Sequence, residues 1–261
     1  MSRLIEKLNF ATSGTSQPMG FRTSRAGPVK PQMSLIASIQ KPESIDSLTD
    51  YIDKADAILL HTTQASQGTA FFTKVAKALP DIPWGCWMKE ADDKTMEKAV
   101  KSGCDFVAFT TASKVFSTGK NDKDDKPGRI LHIESSLNDG LLRAINSLPV
   151  DAIFVESNDS LDWYGLMGLQ RLSGMVSKPL LTTVPPNVAG AELKALWEAG
   201  VDGVVIEISA GQKPELLEQL RQEISKFASS ARKRGKTEAI VPFSVEGKET
   251  DIEPEEEEYE E

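Results

Sequence analysis

Cysteine is almost missing from this chain, with two residues, Cys86 and Cys104, in 261. Two thiols cannot build a disulfide framework, and their separation matches neither a zinc ribbon nor a redox CxxC pair. Both are expected to be buried and reduced. Long apolar runs are missing as well. No stretch reaches the roughly 18 apolar residues of a membrane span, and residues 1–10 lack the apolar core of a secretory signal. The expectation is a protein that does not bind membranes and is cytoplasmic by default. A basic surplus is also absent. The net charge is −9, and residues 246–261 hold ten acids against the single base Lys248, which accounts for all of it. The remaining body is near neutral and offers no broad positive field for nucleic acid. The acidic run reads as a disordered, solvated tail, with a docking segment as the alternative.

What the chain does have is internal periodicity. Aspartate followed by a short apolar run occurs four times: Asp56 before AILLH, Asp105 before FVAFT, Asp151 before AIFVE and Asp202 before GVVIE, at spacings of 49, 46 and 51 residues. Between these lie four runs introduced by proline: Pro31 leads to SLIASI, Pro83 to WGCWM, Pro127 to RILHIE and Pro179 to LLTTV, at spacings of 52, 44 and 52. Two runs in each of four units make eight, each short and rich in Val, Ile or Leu, as strands of a buried parallel sheet are. Segments 44–54, 69–79, 92–101, 138–148, 161–176, 190–199 and 214–231 carry apolar residues three and four apart, the spacing of helices with one buried face. Gly103 and Gly200 stand where left-handed C-caps belong. The link at 113–128 reads as a loop.

Strands alternating with helices predict a parallel sheet with right-handed crossovers, and eight of them in a chain of this length favour closure into a (β/α)8 TIM barrel. An open doubly wound sheet is the structural alternative. The division is an N-terminal arm at 1–30, the barrel at 31–235, and a C-terminal extension with the acidic tail at 236–261. Within the arm, SRLIEKLNF has the spacing of a short amphipathic helix suited to the bottom of the barrel.

The stretch LLTTVPPNVAGAELKALWEAGVDGVVIEISAG, at 180–211, resembles the last two strands of aldolase-type barrels that bind flavin or phosphate. The likeness is at superfamily level, spans about 32–230, and implies a fold without a particular reaction. Such barrels commonly carry glycines after the seventh strand and a glycine with Ser or Thr at the end of the eighth, where backbone amides close on phosphate. Here Pro185, Pro186 and Asn187 stand at the first place and Glu207 at the second. Proline lacks the donor and glutamate repels an anion, so flavin mononucleotide or a phosphorylated ligand at that place is disfavoured.

Barrel chemistry sits at the C-terminal ends of the strands. Aligning the aspartate-led strands makes His61, Thr110, Glu156 and Glu207 equivalent, and aligning two proline-led strands makes Lys89 and Glu134 equivalent. Glu134, Glu156 and Glu207 are candidate ligands for Mg2+ or Mn2+, since hard cations favour carboxylate oxygens. Outward-facing or ion-paired glutamates are the structural alternative. Lys89, His61 and Glu156 are the candidate catalytic residues. Burial of Lys89 beside Trp87 would lower its pKa toward Schiff-base or proton-transfer chemistry, whereas a snorkelling lysine is the plain reading. His61 suits acid–base work. His132 is expected to lie deeper, as a hydrogen-bonded core histidine. Thr62, Thr63, Thr110, Thr111, Thr182 and Thr183 offer hydroxyls to a small polar ligand. Lys114, Lys120, Lys123 and Lys126, or Arg22 and Arg25 of the arm, could bring positive charge over the site.

Two classes of function follow. One is a metal-dependent lyase or isomerase acting on a small carbonyl or carboxylate compound. The other is a non-catalytic barrel serving as a subunit or ligand-binding partner, with homo-oligomerisation open. A flavin-dependent oxidoreductase is a weaker third reading.

Overall fold

A computed structural model describes residues 2–13, 32–40, 46–61, 69–114, 127–157, 161–208 and 215–227. Arg22, Arg25, Thr62, Thr63, Lys120, Lys123, Lys126 and the acidic tail lie outside them. The described residues form eight parallel strands closed in sequence order: β1 (Ser34–Ile39), β2 (Ala57–His61), β3 (Trp84–Met88), β4 (Phe106–Thr110), β5 (Gly128–His132), β6 (Ala152–Val155), β7 (Leu180–Val184) and β8 (Gly203–Ile208). β8 pairs back onto β1, with Ser34 opposite Gly203 and Ser38 opposite Glu207. This is the (β/α)8 barrel that the repeat predicts, and none of the described strands is left with an open edge. None of the described helices is long and apolar enough to cross a membrane.

Helices α2 (Thr69–Ala78), α3 (Asp93–Lys101), α4 (Asp139–Ile145), α5 (Trp163–Met175), α6 (Gly190–Ala199) and α7 (Glu215–Phe227) pack outside. Their starts have local causes: Asp92, Asn138 and Asp162 each accept a backbone N–H of the first turn at 2.7–3.0 Å. Gly200 ends α6 at φ 107°, the left-handed geometry a side chain would resist. Within the segment 44–54 expected to be helical, Asp46–Tyr51 forms a short 3-10 helix of about two turns.

The repeated aspartates hold the lower rim. Each backbone N–H pairs with the preceding strand, from Asp56 to Leu35, Asp105 to Trp84, Asp151 to Arg129 and Asp202 to Leu180, at 2.7–2.9 Å. Three of the carboxylates return the bond, accepting the N–H of Leu35, Arg129 and Leu180 at 2.8–2.9 Å. The two-way link seals the place where a strand begins and the sheet ladder has not yet started.

Asp105 departs from this pattern because its carboxylate serves α1 (Arg3–Ser13). It accepts the N–H groups of Arg3 and Leu4 at 2.8 and 3.1 Å and the Ser2 hydroxyl at 2.8 Å, capping the helix start. Leu4, Ile5 and Leu8 then enter the barrel from below and join the inner cluster of Ile36, Ala57, Leu59, Phe106, Ala108, Ile130, Ala152, Phe154, Leu181 and Val205. Gly128 leaves the room: a Cβ there would come within 2.5 Å of Ile5 and 2.8 Å of Ser2. The amphipathic segment of the arm is thus the floor of the barrel. A larger outer cluster fills the space between strands and helices and includes Cys86 and Cys104, both free and buried.

Because Leu8 is fully buried in this plug, Leu8→Ala should cost about 2–5 kcal/mol. Exposed Phe10 on the same helix should tolerate Ala within about 0.5 kcal/mol. Urea unfolding of the two variants measures both, and equal losses would show that α1 does not support the core.

Candidate active site at the barrel mouth

Strand side chains alternate between the two faces of a sheet. Ile36, Leu59, Ala108, Ile130, Phe154, Leu181 and Val205 belong to the inner cluster, and a Cβ on Gly85 would overlap the inner ring of Phe106. Two residues further along each strand, the next inward positions, staggered in height around the ring, are Ser38, His61, Trp87, Thr110, His132, Glu156, Thr183 and Glu207. The lower layers are apolar and closed by α1, while these positions carry two carboxylates and both histidines of the chain.

Trp87 is the wall around which the layer is arranged. Its ring lies 5.9 Å from His61, 5.2 Å from His132 and 5.5 Å from Phe154, measured between centroids, and is edge-on to the last two. His61 Nε2 is 2.8 Å from Ser38 Oγ on the neighbouring strand. Ser38 is 1% exposed and level with Leu59, too deep to meet a ligand, so its hydroxyl is a positioning group that fixes the imidazole. His132 Nε2 faces Glu156 Oε1 at 3.7 Å. Glu207 Oε2 accepts from Gln40 Nε2 at 3.2 Å. Thr183 Oγ1 accepts the Ser157 N–H at 2.8 Å and Thr110 Oγ1 donates to the carbonyl of Lys89, each tying a strand end to a neighbouring one.

Both imidazoles are held below the ordinary histidine value of 6.5. For each, burial dominates; Glu207 and then Glu156 oppose it at His61, and Glu156 and then Glu134 at His132. Glu156 therefore acts on both rings. At neutral pH each ring is uncharged and able to accept a proton, with a carboxylate positioned to stabilise the cation that results.

Several expectations need correction. His132 does lie deeper than Glu134, level with Phe154, but it is only partly buried and meets Trp87 and Glu156 instead of being enclosed in the core. Lys89 lies one residue past β3 and is exposed, so the burial that Schiff-base chemistry would need is missing. Glu134 lies two residues past β5, also exposed, and accepts from Ser136 at 3.3 Å. Both lie at the rim beyond their strands, and the inward members on those strands are Trp87 and His132. Glu134, Glu156 and Glu207 do not converge. Among the described residues there is no group of three His, Cys, Asp or Glu side chains that could hold a metal ion. Thr182 faces the helices, fully buried, donating to the Val155 carbonyl at 3.0 Å, and Thr111 is exposed. Ser38 and Gln40 went unnoticed in the sequence, since only strand pairing brings them beside His61 and Glu207.

At the end of β7, the Pro185 carbonyl accepts the Val188 N–H in a tight turn. The Glu192 carboxylate then accepts the Ala189 N–H at 2.8 Å where α6 begins. The helix start thus holds a carboxylate from its own chain, the kind of charge a helix dipole attracts there.

No family model matches the chain, and no curated protein matches it. Solved structures do. A mutant form of the tryptophan synthase α-subunit of Pyrococcus furiosus superposes with a TM-score of 0.56 at 12% identity, covering 76% of this chain and 98% of that one. The thiamine phosphate pyrophosphorylase of the same organism gives 0.55 at 13% identity over 76% and 98%. A protein of Aquifex aeolicus VF5 gives 0.54 at 10%, over 78% and 95%. At such identities the likeness is one of fold: the chain is a TIM-barrel protein.

The lowered histidine pKa values set a pH dependence. Below 6.5 the unfolded chain takes up protons that folded His61 and His132 still refuse, so stability is full above 6.5 and falls as pH drops toward the folded pKa values. Melting temperature followed from about pH 7.5 to about pH 5 should decline, and less steeply in a His61→Gln, His132→Gln double variant. An unchanged slope would show that the rings are not buried as described.

Proposed function

We propose that this barrel is an enzyme, a lyase or isomerase that moves protons on a small carbonyl or carboxylate compound at the mouth. The observation that carries this reading is the pair of neutral imidazoles flanking Trp87, with Glu156 acting on both. Perturbed titratable groups gathered at the C-terminal end of barrel strands, where barrel chemistry takes place, mark a candidate functional site.

In this reading His61, oriented by Ser38, removes a proton from the carbon beside the carbonyl; the electron pair of the broken C–H bond forms a C=C bond as the carbonyl π pair moves onto oxygen. Glu207 and Glu156 stabilise the imidazolium so formed. The exposed ammonium of Lys89 at the rim opposes the charge on oxygen. Return of the proton to a second atom completes an isomerisation, and loss of a leaving group from the neighbouring carbon completes an elimination. His132, backed by Glu156, is the second acid–base group. Trp87 supplies an apolar wall that keeps water from one side of the substrate.

The metal-dependent form of the reading, with Mg2+ or Mn2+ on Glu134, Glu156 and Glu207, requires three separated carboxylates to be drawn together, and no step here depends on it. It has its own test. A cation at about 100 times its dissociation constant would stabilise the fold by roughly 2.7 kcal/mol, and Glu156→Gln would abolish the effect.

The proton-transfer reading is tested without knowing the reaction. Small ketones, aldehydes and keto acids are incubated with the protein in 2H2O, and exchange of the proton beside the carbonyl is followed by 1H NMR. The expected result is exchange in at least one compound, slowed about 100-fold or more in His61→Gln and in Glu156→Gln. Exchange that survives both changes would remove these residues from the chemistry. No exchange across the panel would favour the non-catalytic subunit.

A further inference from the structure

The last of the described helices shows charge to solvent in the ordinary way. α7 buries Leu217, Leu220, Ile224 and Phe227 and carries Glu215, Glu218, Arg221, Glu223 and Lys226. α5 is built differently. Leu169 and Leu172 face the core, yet Trp163, Tyr164 and Met167 on its first two turns are 81%, 85% and 64% exposed. Its one charged residue, Arg171, is already engaged, bonding to the Asp139 carboxylate and the Leu137 carbonyl of the α4 start. That bond sets α4 beside α5, and Leu141 on α4 is also more than half exposed. Since α5 follows β6, its first turns lie on the mouth side of the barrel.

Aromatic and methionine side chains without charge are the composition of interface cores. Two rings of about 150–250 Å2 each, with Met167 and Leu141, make a patch on the order of 500 Å2, the size at which an exposed apolar patch on a single chain is often functional. Two such patches facing each other would bury about 1,000 Å2, the threshold for a specific interface before any flanking residue contributes. The shape suits self-pairing as well. Tyr164 and Gly168 are four apart and so stacked on one helical face, and nothing lies within 4 Å of the place where a Gly168 Cβ would be. A projecting ring and an open notch on the same patch are what a two-fold contact needs, each copy's ring entering the other's notch. With Arg171 engaged, α5 has no second cation to offer, which makes an acidic segment or an anionic lipid surface a poor occupant.

We infer that the chain forms a two-fold homodimer through the first half of α5, with Trp163, Tyr164 and Met167 as the buried centre and Gly168 as the receiving notch. The contact lies beside the mouth of each barrel but outside the ring of His61, Trp87 and His132, and it stands whether or not the proton-transfer reading holds.

The test is sedimentation equilibrium of the full chain across a concentration series. The expected result is a species of twice the chain mass at tens of micromolar, with Met167→Glu raising the dimer dissociation constant about 100-fold or more. Gly168→Arg guards against misfolding, because its side chain enters open space in the single chain and replaces a poor helix former with a good one. It should keep or raise the melting temperature at low, monomeric concentration while abolishing the dimer. Lys194→Glu on α6 should leave the dimer intact. A wild-type chain that stays monomeric at about 200 μM, where the expected dissociation constant of tens of micromolar would leave mostly dimer, overturns the inference. So does a dimer that survives both α5 changes, or a monomer that binds lipid vesicles through Trp163.

Discussion

Closure of eight strands around a filled interior is the constraint on which the rest of this structure depends. Side chains alternate, so every second residue of each strand points inward, and a barrel of this size has its interior filled layer by layer with side chains. The lower layers are filled by Ile36, Leu59, Phe106, Phe154, Leu181 and Val205 with the plug of Leu4, Ile5 and Leu8. Gly85, Gly128 and Gly203 stand where the Phe106 ring, the plug and Leu181 need the space. Once the floor is closed, the next layer is the first that can be polar, and it is there that both histidines lie.

The electrostatics of that layer follow from a contest between burial and charge. Trp87 and Phe154 make the surroundings of the imidazoles poor in water, which favours the neutral rings. Glu156 and Glu207 pull the other way and lose in the resting state. A proton arriving from a substrate would meet carboxylates already positioned to receive the new cation, which is the balance acid–base catalysis requires. Lys89 and Glu134, one layer higher, are in solvent, where a bound ligand can reach them.

The outside of the barrel is divided in a similar way. α7 is amphipathic in the ordinary sense and anchors to the barrel through Arg221 and Asp56, 3.3 Å apart, and through Lys54 and Glu218, 3.1 Å apart. α5 commits its one charge to a neighbouring helix and leaves large apolar side chains facing outward. Exposed apolar surface of this size is costly to keep in water unless something covers it.

The sequence by itself determined the eight strands and most helix starts, because those depend on near neighbours: an apolar run of five or six residues, an aspartate at its start, a side-chain acceptor three residues before a helical N–H, a glycine where φ turns positive. His61, Glu156 and Glu207 were legible for the same reason, standing a fixed five residues after a repeated aspartate. Depth around the ring was not legible. Whether Lys89 or Trp87, Glu134 or His132 occupies the mouth layer is set by the stagger between strands, which no local spacing records. Only the closed barrel could decide that Ser38 meets His61 from the next strand, that three glutamates stand apart, and that Trp163, Tyr164 and Met167 lie on the outer face of a helix whose apolar residues repeat on more than one side.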